Sequence, residues 1–430
     1  VTRNVFVLGL DGFNLAKLRS LDIGEPCDFH GLLTPEEILD AEEFPISSMV
    51  ERATAQMHAF PGTVDAVVGY MDFPVSTMLP LLKAPFGLPG LTMTSLLKCE
   101  HKYWSRLMQR EVVGAHVPEF VAFDPFGPDP AGQIGLEPPY WVKPVKSAGS
   151  WLGFYVGNQA DLDHAVAVIR EHIGRFADPF NELLDTVELP PEVASVDGSY
   201  CLAEAIIGGW QCTLEGSVVG GHFDVHGVVD SVRLPGSTSF ERYQYPSRLP
   251  QAKLDEMSRI TQEVLEHVGF DGAAFNIEFF WDEERDHLWL LEVNTRIAQH
   301  HSDLFEKVDG ASNHQVMLEV NLGRRPRMPH GQGPFGCAAV FFMRHTEDAL
   351  VTAVPSEEEI AELAAAIPGL EVQLHVQPGQ RLSELVDQDS YSYELGIVYL
   401  GARDEAELLD RYEACRERLH FTLEPVQGRT

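Results

Sequence analysis

Four side chains in one short span have types that could bind a divalent cation and an anion together: Glu278, Glu292, Asn294 and Arg296. Mg²⁺ is commonly held by one or two carboxylates while water and phosphate oxygens complete its octahedron, and Glu278, Glu292 and Asn294 supply oxygen ligands of that kind. Arg296 adds a guanidinium, which pairs well with phosphate and carboxylate. Phe275, Ile277 and Phe279 alternate with Asn276, Glu278 and Phe280, and Trp289, Leu291 and Val293 alternate with Leu290, Glu292 and Asn294. That period of two predicts strands, and the polar turn from Asp282 to His287 predicts a hairpin. Glu292 and Asn294 then share one face, and a hairpin register sets Glu278 beside them. Isolated acids on a strand are usually a solvated face; two carboxylates, an asparagine and an arginine in one hairpin favour a site.

The elements around the hairpin must bring further charges to it. Lys143 lies in an apolar strand predicted over Tyr140–Val145, followed by the Gly/Ser loop Lys146–Gly153 and a second apolar strand. Backbone N–H groups of such a loop can cradle phosphates. The loop reads equally as an ordinary glycine hairpin, and the GxxxxGK[ST] pattern is absent. The run from Thr94 predicts a helix with Leu96, Leu97, Tyr103, Leu107 and Met108 apolar, and Lys102 and Arg106 as an i,i+4 pair on a solvated face. A proline-rich connection precedes Tyr140 and marks a domain boundary. A helix is expected over Leu162–Phe176. Strands at Tyr200–Ile207 and Gln211–Val219, split by Gly208 and Gly209, and at Val225–Val232 imply an antiparallel sheet. Ser239–Pro250 reads as an irregular aromatic and basic loop, functional or simply pinned by proline. Gln251–Val268 predicts an amphipathic helix whose apolar stripe is core packing.

Toward the ends, residues 4–97 predict a small parallel α/β unit with strands at Val5–Leu10, Asp28–Leu33 and Val64–Met71 and a helix over Ile46–Met57. Its first turn, GLDGFN, is not GxGxxG, which removes the main support for a nicotinamide enzyme. Strands at Cys337–Met343, Glu371–Val376 and Glu394–Leu400 alternate with helices at Glu357–Ala366 and Glu405–Leu419 in a final α/β unit. The expected domains are 1–97, 98–330 with a lid over about 118–207, and 331–430.

A chain of 430 residues with 44% hydrophobic residues suits about three packed domains. Lys+Arg 31 against Asp+Glu 65 gives a formal charge of −34, which argues against nucleic acid and anionic membranes as partners. Against that field the basic residues Lys98, Lys102, Lys143, Lys146, Arg242, Arg248 and Arg296 become informative for an anionic substrate. No apolar run reaches the roughly 18–20 residues of a membrane helix, and VTRNVFVLGLDGF lacks a signal-peptide pattern, so a cytoplasmic protein is expected. The six cysteines form no CxxC pair, which points to isolated thiols rather than disulfides or zinc.

KYWSR at 102–106 ahead of VPEF, WVKPVKSAGSWLG at 141–153, LAEAIIGG at 202–209 followed by LEGSVVGG, then NIEFFW and LLEVNTRI form an ordered set. In that order and spacing the chain resembles the ATP-grasp superfamily over most of its length, and within it the carboxylate–amine ligases of the amino-acid ligase and biotin-carboxylase-like branch. The resemblance implies an α/β (α+β) fold with a Rossmann-like N-terminal domain, a two-sheet ATP-binding core with a mobile lid, and a small C-terminal domain. It implies ATP with two Mg²⁺ ions, Mn²⁺ being an alternative, held by Glu278, Glu292 and Asn294. Lys143 and Lys102 would meet the nucleotide phosphates, with Ser147, Gly149 and Ser150 in the closing loop. Glu204, Ala205 and Ile207 would meet adenine. Gln211 stands where many relatives place a ribose-holding glutamate, so it offers a hydrogen bond without charge. Arg296 would stabilise an acyl phosphate, and Arg248 and Arg242 are candidates for the substrate carboxylate. His300 replaces the glutamate expected to activate bicarbonate in biotin carboxylases, which weakens carboxylation; it would line the acceptor pocket, act as a base or serve structure.

The implied activity is amide or peptide formation through an acyl phosphate, releasing ADP and phosphate, with small-molecule carboxylate and amine substrates. A carboxyphosphate-forming enzyme and a non-catalytic ATP-binding module are the alternatives. A homodimer is an open expectation.

Overall fold

A computed structural model describes residues 2–39, 43–149, 151–237, 239–385, 388 and 391–426. It divides into two compact units, Val1–His226 with Leu249–Ala298 and His314–Arg327, and Gly227–Arg248 with Gln299–Asn313 and Met328–Thr430.

The first unit begins with β1 (Arg3–Leu8), β2 (Cys27–Leu32) and β3 (Ala66–Val68) in a parallel sheet of order β2-β1-β3. Val5, Phe6, Val7 and Leu8 are all buried, as a parallel strand covered on both faces requires. The third strand is shorter than the apolar run Val64–Met71 suggests. The helix expected from Thr94 is two helices, Met93–Glu100 and Lys102–Val113. They break at His101, whose Nδ1 accepts from the Trp104 N–H at 3.2 Å and caps the second helix. The proline-rich connection holds β4 (Phe120–Phe123), which joins β5 (Tyr140–Pro144), β6 (Phe154–Val156) and β7 (Cys201–Ala205) in an antiparallel sheet of order β4-β7-β5-β6. The helix expected over Leu162–Phe176 is likewise two, Gln159–His172 and Gly174–Leu184.

β8 (Trp210–Val219) lies in a different sheet from β7, and β9 (His222–Arg233) carries the chain from the first unit into the second. Residues read as an irregular loop over Ser239–Pro250 include a true strand, β10 (Phe240–Tyr245). Charge hides it: Arg242 and Gln244 point inward and bond one another at 3.0 Å, so the buried face is polar rather than apolar. The predicted hairpin forms as β11 (Ala273–Asp282) and β12 (His287–Asn294), and in the first unit β11 lies between β12 and β8, antiparallel to both. Phe275, Ile277 and Phe279 are fully buried on one face. The helix Gln251–Val268 buries Met257, Ile260, Val264, Leu265 and Val268, and the Met257 thioether lies 3.8 Å from Cys212 of β8.

In the second unit, β9 and β10 pair antiparallel, followed by β13 (Cys337–His345), while β14 (Ala349–Ala353) pairs with the last strand. β15 (Glu371–Leu374) pairs with β16 (Tyr393–Ala402), which also pairs with β13, and β17 (Thr422–Pro425) closes on β14. The helix Glu357–Ala366 opens with a Ser356/Glu359 capping box. The helix Glu405–Arg416, shorter than expected, stacks Tyr412 on Phe341 at 3.8 Å. All six cysteines are free. Among the described residues no helix is long and apolar enough to cross a membrane.

Candidate functional site

The β11–β12 register places Glu278 opposite Glu292 and Asn276 opposite Asn294, with an irregularity just after Glu278. Asn294 Nδ2 donates to Asn276 Oδ1 at 2.9 Å and lies 3.4 Å from Glu278 Oε1. Gln211, at the start of β8, donates its Nε2 to Glu278 Oε2 at 3.0 Å. The period-two reading of the hairpin therefore holds, and it gathers a second asparagine that the sequence did not single out. Burial and then the neighbouring Glu292 charge push the Glu278 carboxyl above the usual range.

Two lysines enter from other elements. Lys102, at the first position of its helix, lies 2.8 Å from Glu292 Oε1 and donates to the Ser147 carbonyl at 3.1 Å. Burial would raise the Glu292 carboxyl, but Lys102 and Lys143 bring it below its ordinary value. Lys143 projects from β5 and lies 2.5 Å from Glu204 Oε2, while Arg106 Nε meets Glu204 Oε1 at 2.5 Å. Arg106, read as part of a solvated helix face, is instead buried. Its other nitrogens donate to the carbonyls of Leu290 and Leu291 at 3.0 and 2.8 Å, which fastens the helix to β12. Although burial opposes it, this doubly cationic setting pulls the Glu204 carboxyl down to about 2. Burial, reinforced by Arg106, lowers Lys143 despite Glu204. Lys102, Arg106, Lys143 and Glu292 line one pocket with Leu291, Cys99, Ser105 and Gln109.

Beyond β12, Arg296 Nη2 donates to Asp72 Oδ2 at 2.6 Å, and Asn276 Nδ2 holds the Arg296 carbonyl at 2.9 Å. Arg296 Nε is buried without a hydrogen-bond partner among the described residues. Lys146 pairs with Glu100 and lies 3.8 Å from Asp72 Oδ1, and Thr295 Oγ1 donates to Glu100 at 2.8 Å. Lys102, Arg106, Lys143, Lys146 and Arg296 thus equal in number the acids Asp72, Glu100, Glu204, Glu278 and Glu292, five to five, although Arg106 and Lys143 share Glu204 and, among the described residues, no cation forms an ion pair with Glu278.

The residues fit a divalent cation. Glu278 is pushed up by burial and then by the Glu292 charge, a repulsion that a cation between the two would remove, and the asparagine oxygens add neutral ligands. Among the described residues no three His, Cys, Asp or Glu side chains converge as a ready cage.

The other expected residues fall as follows. Ser147 is buried. Gly149 has φ +60° with open space where a side chain would begin, a backbone suited to glycine; Ser150 lies outside the described residues. Ala205 ends β7, and Ile207 follows it just before Gly209. At Gly209, φ is +118° and a Cβ would meet the Trp281 carbonyl at 2.1 Å, so only glycine fits this turn. Gln211 serves Glu278. In the second unit, Arg248 lies 2.8 Å from Glu405 and 3.8 Å from buried Asp230, and Arg242 also pairs with Glu405 at 3.1 Å. The His300 ring centroid lies 6.3 Å from Tyr243 and 5.7 Å from Phe342.

Asp72, Glu100, Arg106 and Asn276 were missed as site residues. Asp72 had a readable signal: it follows a strand of a parallel sheet, and ligands of open α/β sheets gather at the carboxyl ends of the strands.

The family described as the carbamoyl-phosphate synthase L chain, ATP binding domain, matches residues 245–327, which contain the whole hairpin. No curated protein matches the chain. Among solved structures it is similar to an L-amino acid ligase from Bacillus licheniformis, with 16% identity, 99% of each chain covered and a TM-score of 0.73. It is similar also to a carboxyaminoimidazole ribonucleotide synthase from Aspergillus clavatus complexed with ATP, with 15% identity, 97% of this chain and 98% of that one covered, and a TM-score of 0.67. A biotin carboxylase from Campylobacter jejuni follows at 14% identity, 98% and 92% coverage, and a TM-score of 0.64.

Proposed function

We propose that this chain, which has the ATP-grasp fold, is an ATP-dependent carboxylate–amine ligase that works through an acyl phosphate. The observation that carries the reading is the pairing of Glu278 with Glu292 across the hairpin, with Lys102 on Glu292 and Arg296 two residues past Asn294. A metal, a phosphate-neutralising lysine and a spare guanidinium donor at one strand end suit phosphoryl transfer to a carboxylate better than any other chemistry the cluster offers.

In this reading Glu278, Glu292 and Asn294 hold Mg²⁺, which would neutralise charge on the nucleotide phosphates. Lys102 and Lys143 turn from their carboxylates to the phosphates, while Glu204 keeps Arg106. A carboxylate oxygen of the first substrate attacks the γ-phosphorus, the bond to the β-bridging oxygen breaks, and ADP leaves. Arg296 stabilises charge on the acyl phosphate. The amine nitrogen of the second substrate attacks the acyl carbon, phosphate departs, and the amine's proton passes to water or a nearby base. Water must be kept out meanwhile, which suits the 146–153 loop as part of a closing lid.

A matrix of carboxylates and amines, scored for phosphate release and for product mass, tests the proposal. Release that needs both partners, with a condensed product, is the expected result. Bicarbonate-dependent hydrolysis without an amine would favour a carboxyphosphate-forming enzyme, a reading that the biotin carboxylase similarity keeps in view. Nucleotide binding without turnover across the matrix would overturn the ligase reading.

A further inference from the structure

Asp72 has no part in the reaction outlined above, yet it makes the strongest contact that Arg296 has. It sits in the turn after β3, and the Arg296 guanidinium it meets at 2.6 Å lies 224 residues along the chain. Asp72 is itself fixed. Its Oδ1 accepts from the Phe73 N–H at 2.6 Å and lies 3.8 Å from the buried Lys146 ammonium. Lys146 also pairs with Glu100, which accepts from Thr295, the residue before Arg296. The Arg296 carbonyl is held by Asn276.

The arginine is therefore fastened at four places: its Nη2 by Asp72, its Nη1 by the Ile297 carbonyl at 3.2 Å, its preceding residue by Glu100, and its own carbonyl by Asn276. Lys146 joins the two carboxylates. Such closure exceeds what an isolated surface ion pair gains, since two exposed charges contribute little. It resembles the support that catalytic guanidinia need to stay in register with a reacting group. The fixed Nη2 leaves Nε as a buried donor without a partner, which a substrate or phosphoryl oxygen would satisfy.

We infer that Asp72 is a positioning residue for the proposed reaction: it holds the Arg296 guanidinium so that Nε faces the oxygen on which charge develops. The inference rests on the ligase reading of Arg296, and its contact geometry stands apart from that reading.

Two measurements test it. In steady-state turnover, Asp72→Asn should lower kcat about 10- to 100-fold, the scale of a misplaced catalytic group, while KM for ATP stays within about twofold. Arg296→Gln and Asp72→Asn/Arg296→Gln should be equally slow, because two residues acting through one another are not additive. Asp72→Glu should recover part of kcat. Independently of activity, phenylglyoxal labelling followed by peptide mass spectrometry should modify Arg296 several-fold faster in Asp72→Asn than in the wild-type chain, with exposed Arg259 unchanged. Wild-type kcat in Asp72→Asn, additive losses in the double variant, or equal Arg296 labelling would each overturn the inference. If Asp72→Asn fails to fold, the labelling comparison is made on Asp72→Ser, which also lacks the carboxylate, and an unchanged rate there again overturns it. If the wild-type chain releases no phosphate with any substrate pair, the ligase reading fails, and labelling still decides whether Asp72 holds Arg296.

Discussion

Glu204 and Glu278 are acids on neighbouring parts of the same unit, and their surroundings drive them in opposite directions. Glu204 has a guanidinium on one oxygen and an ammonium on the other, both at 2.5 Å, and its carboxyl falls to about 2. Among the described residues Glu278 accepts from the side-chain amides of Gln211 and Asn294, and burial, with the Glu292 charge nearby, makes its carboxyl rise. One region has each carboxylate oxygen met by a cation and ties the Lys102–Val113 helix to β5 and β7. The other is left in deficit of positive charge. Stability is satisfied at Glu204 and withheld at Glu278, where a ligand cation would supply what the protein lacks.

This contrast can be broken most sharply at Glu292. Glu292→Gln should reduce nucleotide-dependent turnover at least about 1,000-fold, several kcal/mol of barrier, while circular dichroism shows the fold of the parent; full activity would remove the metal assignment. At the Glu204 region the loss should appear in stability instead. Glu204→Gln leaves Arg106 and Lys143 buried without their carboxylate, and urea unfolding should show a loss of about 3–5 kcal/mol. Because the folded Glu204 carboxyl is depressed, its contribution is fully present above the ordinary carboxylate value near 4.5 and is lost as pH falls from there toward about 2. The variant should lack that part of the acid transition.

Smaller changes sharpen the comparison from the other side. Gln211→Leu removes a donor from Glu278, and Mg²⁺ affinity measured by calorimetry should drop about tenfold, as for other outer partners of metal ligands. Glu278→Gln should stabilise the chain without metal by about 0.5–2 kcal/mol, the usual return on relieving a strained functional group. The sign follows from linkage: a raised carboxyl binds more protons folded than unfolded, so stability declines as pH rises from about 4.5 through the folded value, and glutamine abolishes that decline. Added Mg²⁺ should raise the melting temperature of the wild-type chain and leave Glu278→Gln almost unmoved.

The hairpin was legible because its two faces alternate: a period of two placed Glu292 and Asn294 together, and the hairpin register set Glu278 beside them. Lys143 stood out as a charge inside an apolar strand. Arg106 was invisible as a buried group, since its helix spacing matches a solvated pair and its partner Glu204 lies 98 residues away. Glu100 is hidden for the same reason, and Asp72, although its place after a parallel strand marked it as a candidate, gave no sign of its partner: nothing local to either residue anticipates Arg296, Thr295 or Lys146. The break at His101 escaped notice because good helix formers flank it and a histidine side chain takes over as cap, whereas the one at Ile173 had a local signal in Gly174 that the apolar spacing overrode. β10 was lost because its inward face carries Arg242 and Gln244, a polar pair satisfied only within the folded sheet.

The balance of five cations with five anions has a kinetic consequence. The cluster has no net attraction to offer a distant nucleotide, and the chain as a whole carries −34. A Mg·ATP complex, itself an anion, approaches against repulsion, and dissolved salt screens that repulsion over about 10 Å at 0.1 M. Nucleotide capture by this protein should therefore quicken as ionic strength rises, the reverse of what a basic nucleotide-binding cleft would show.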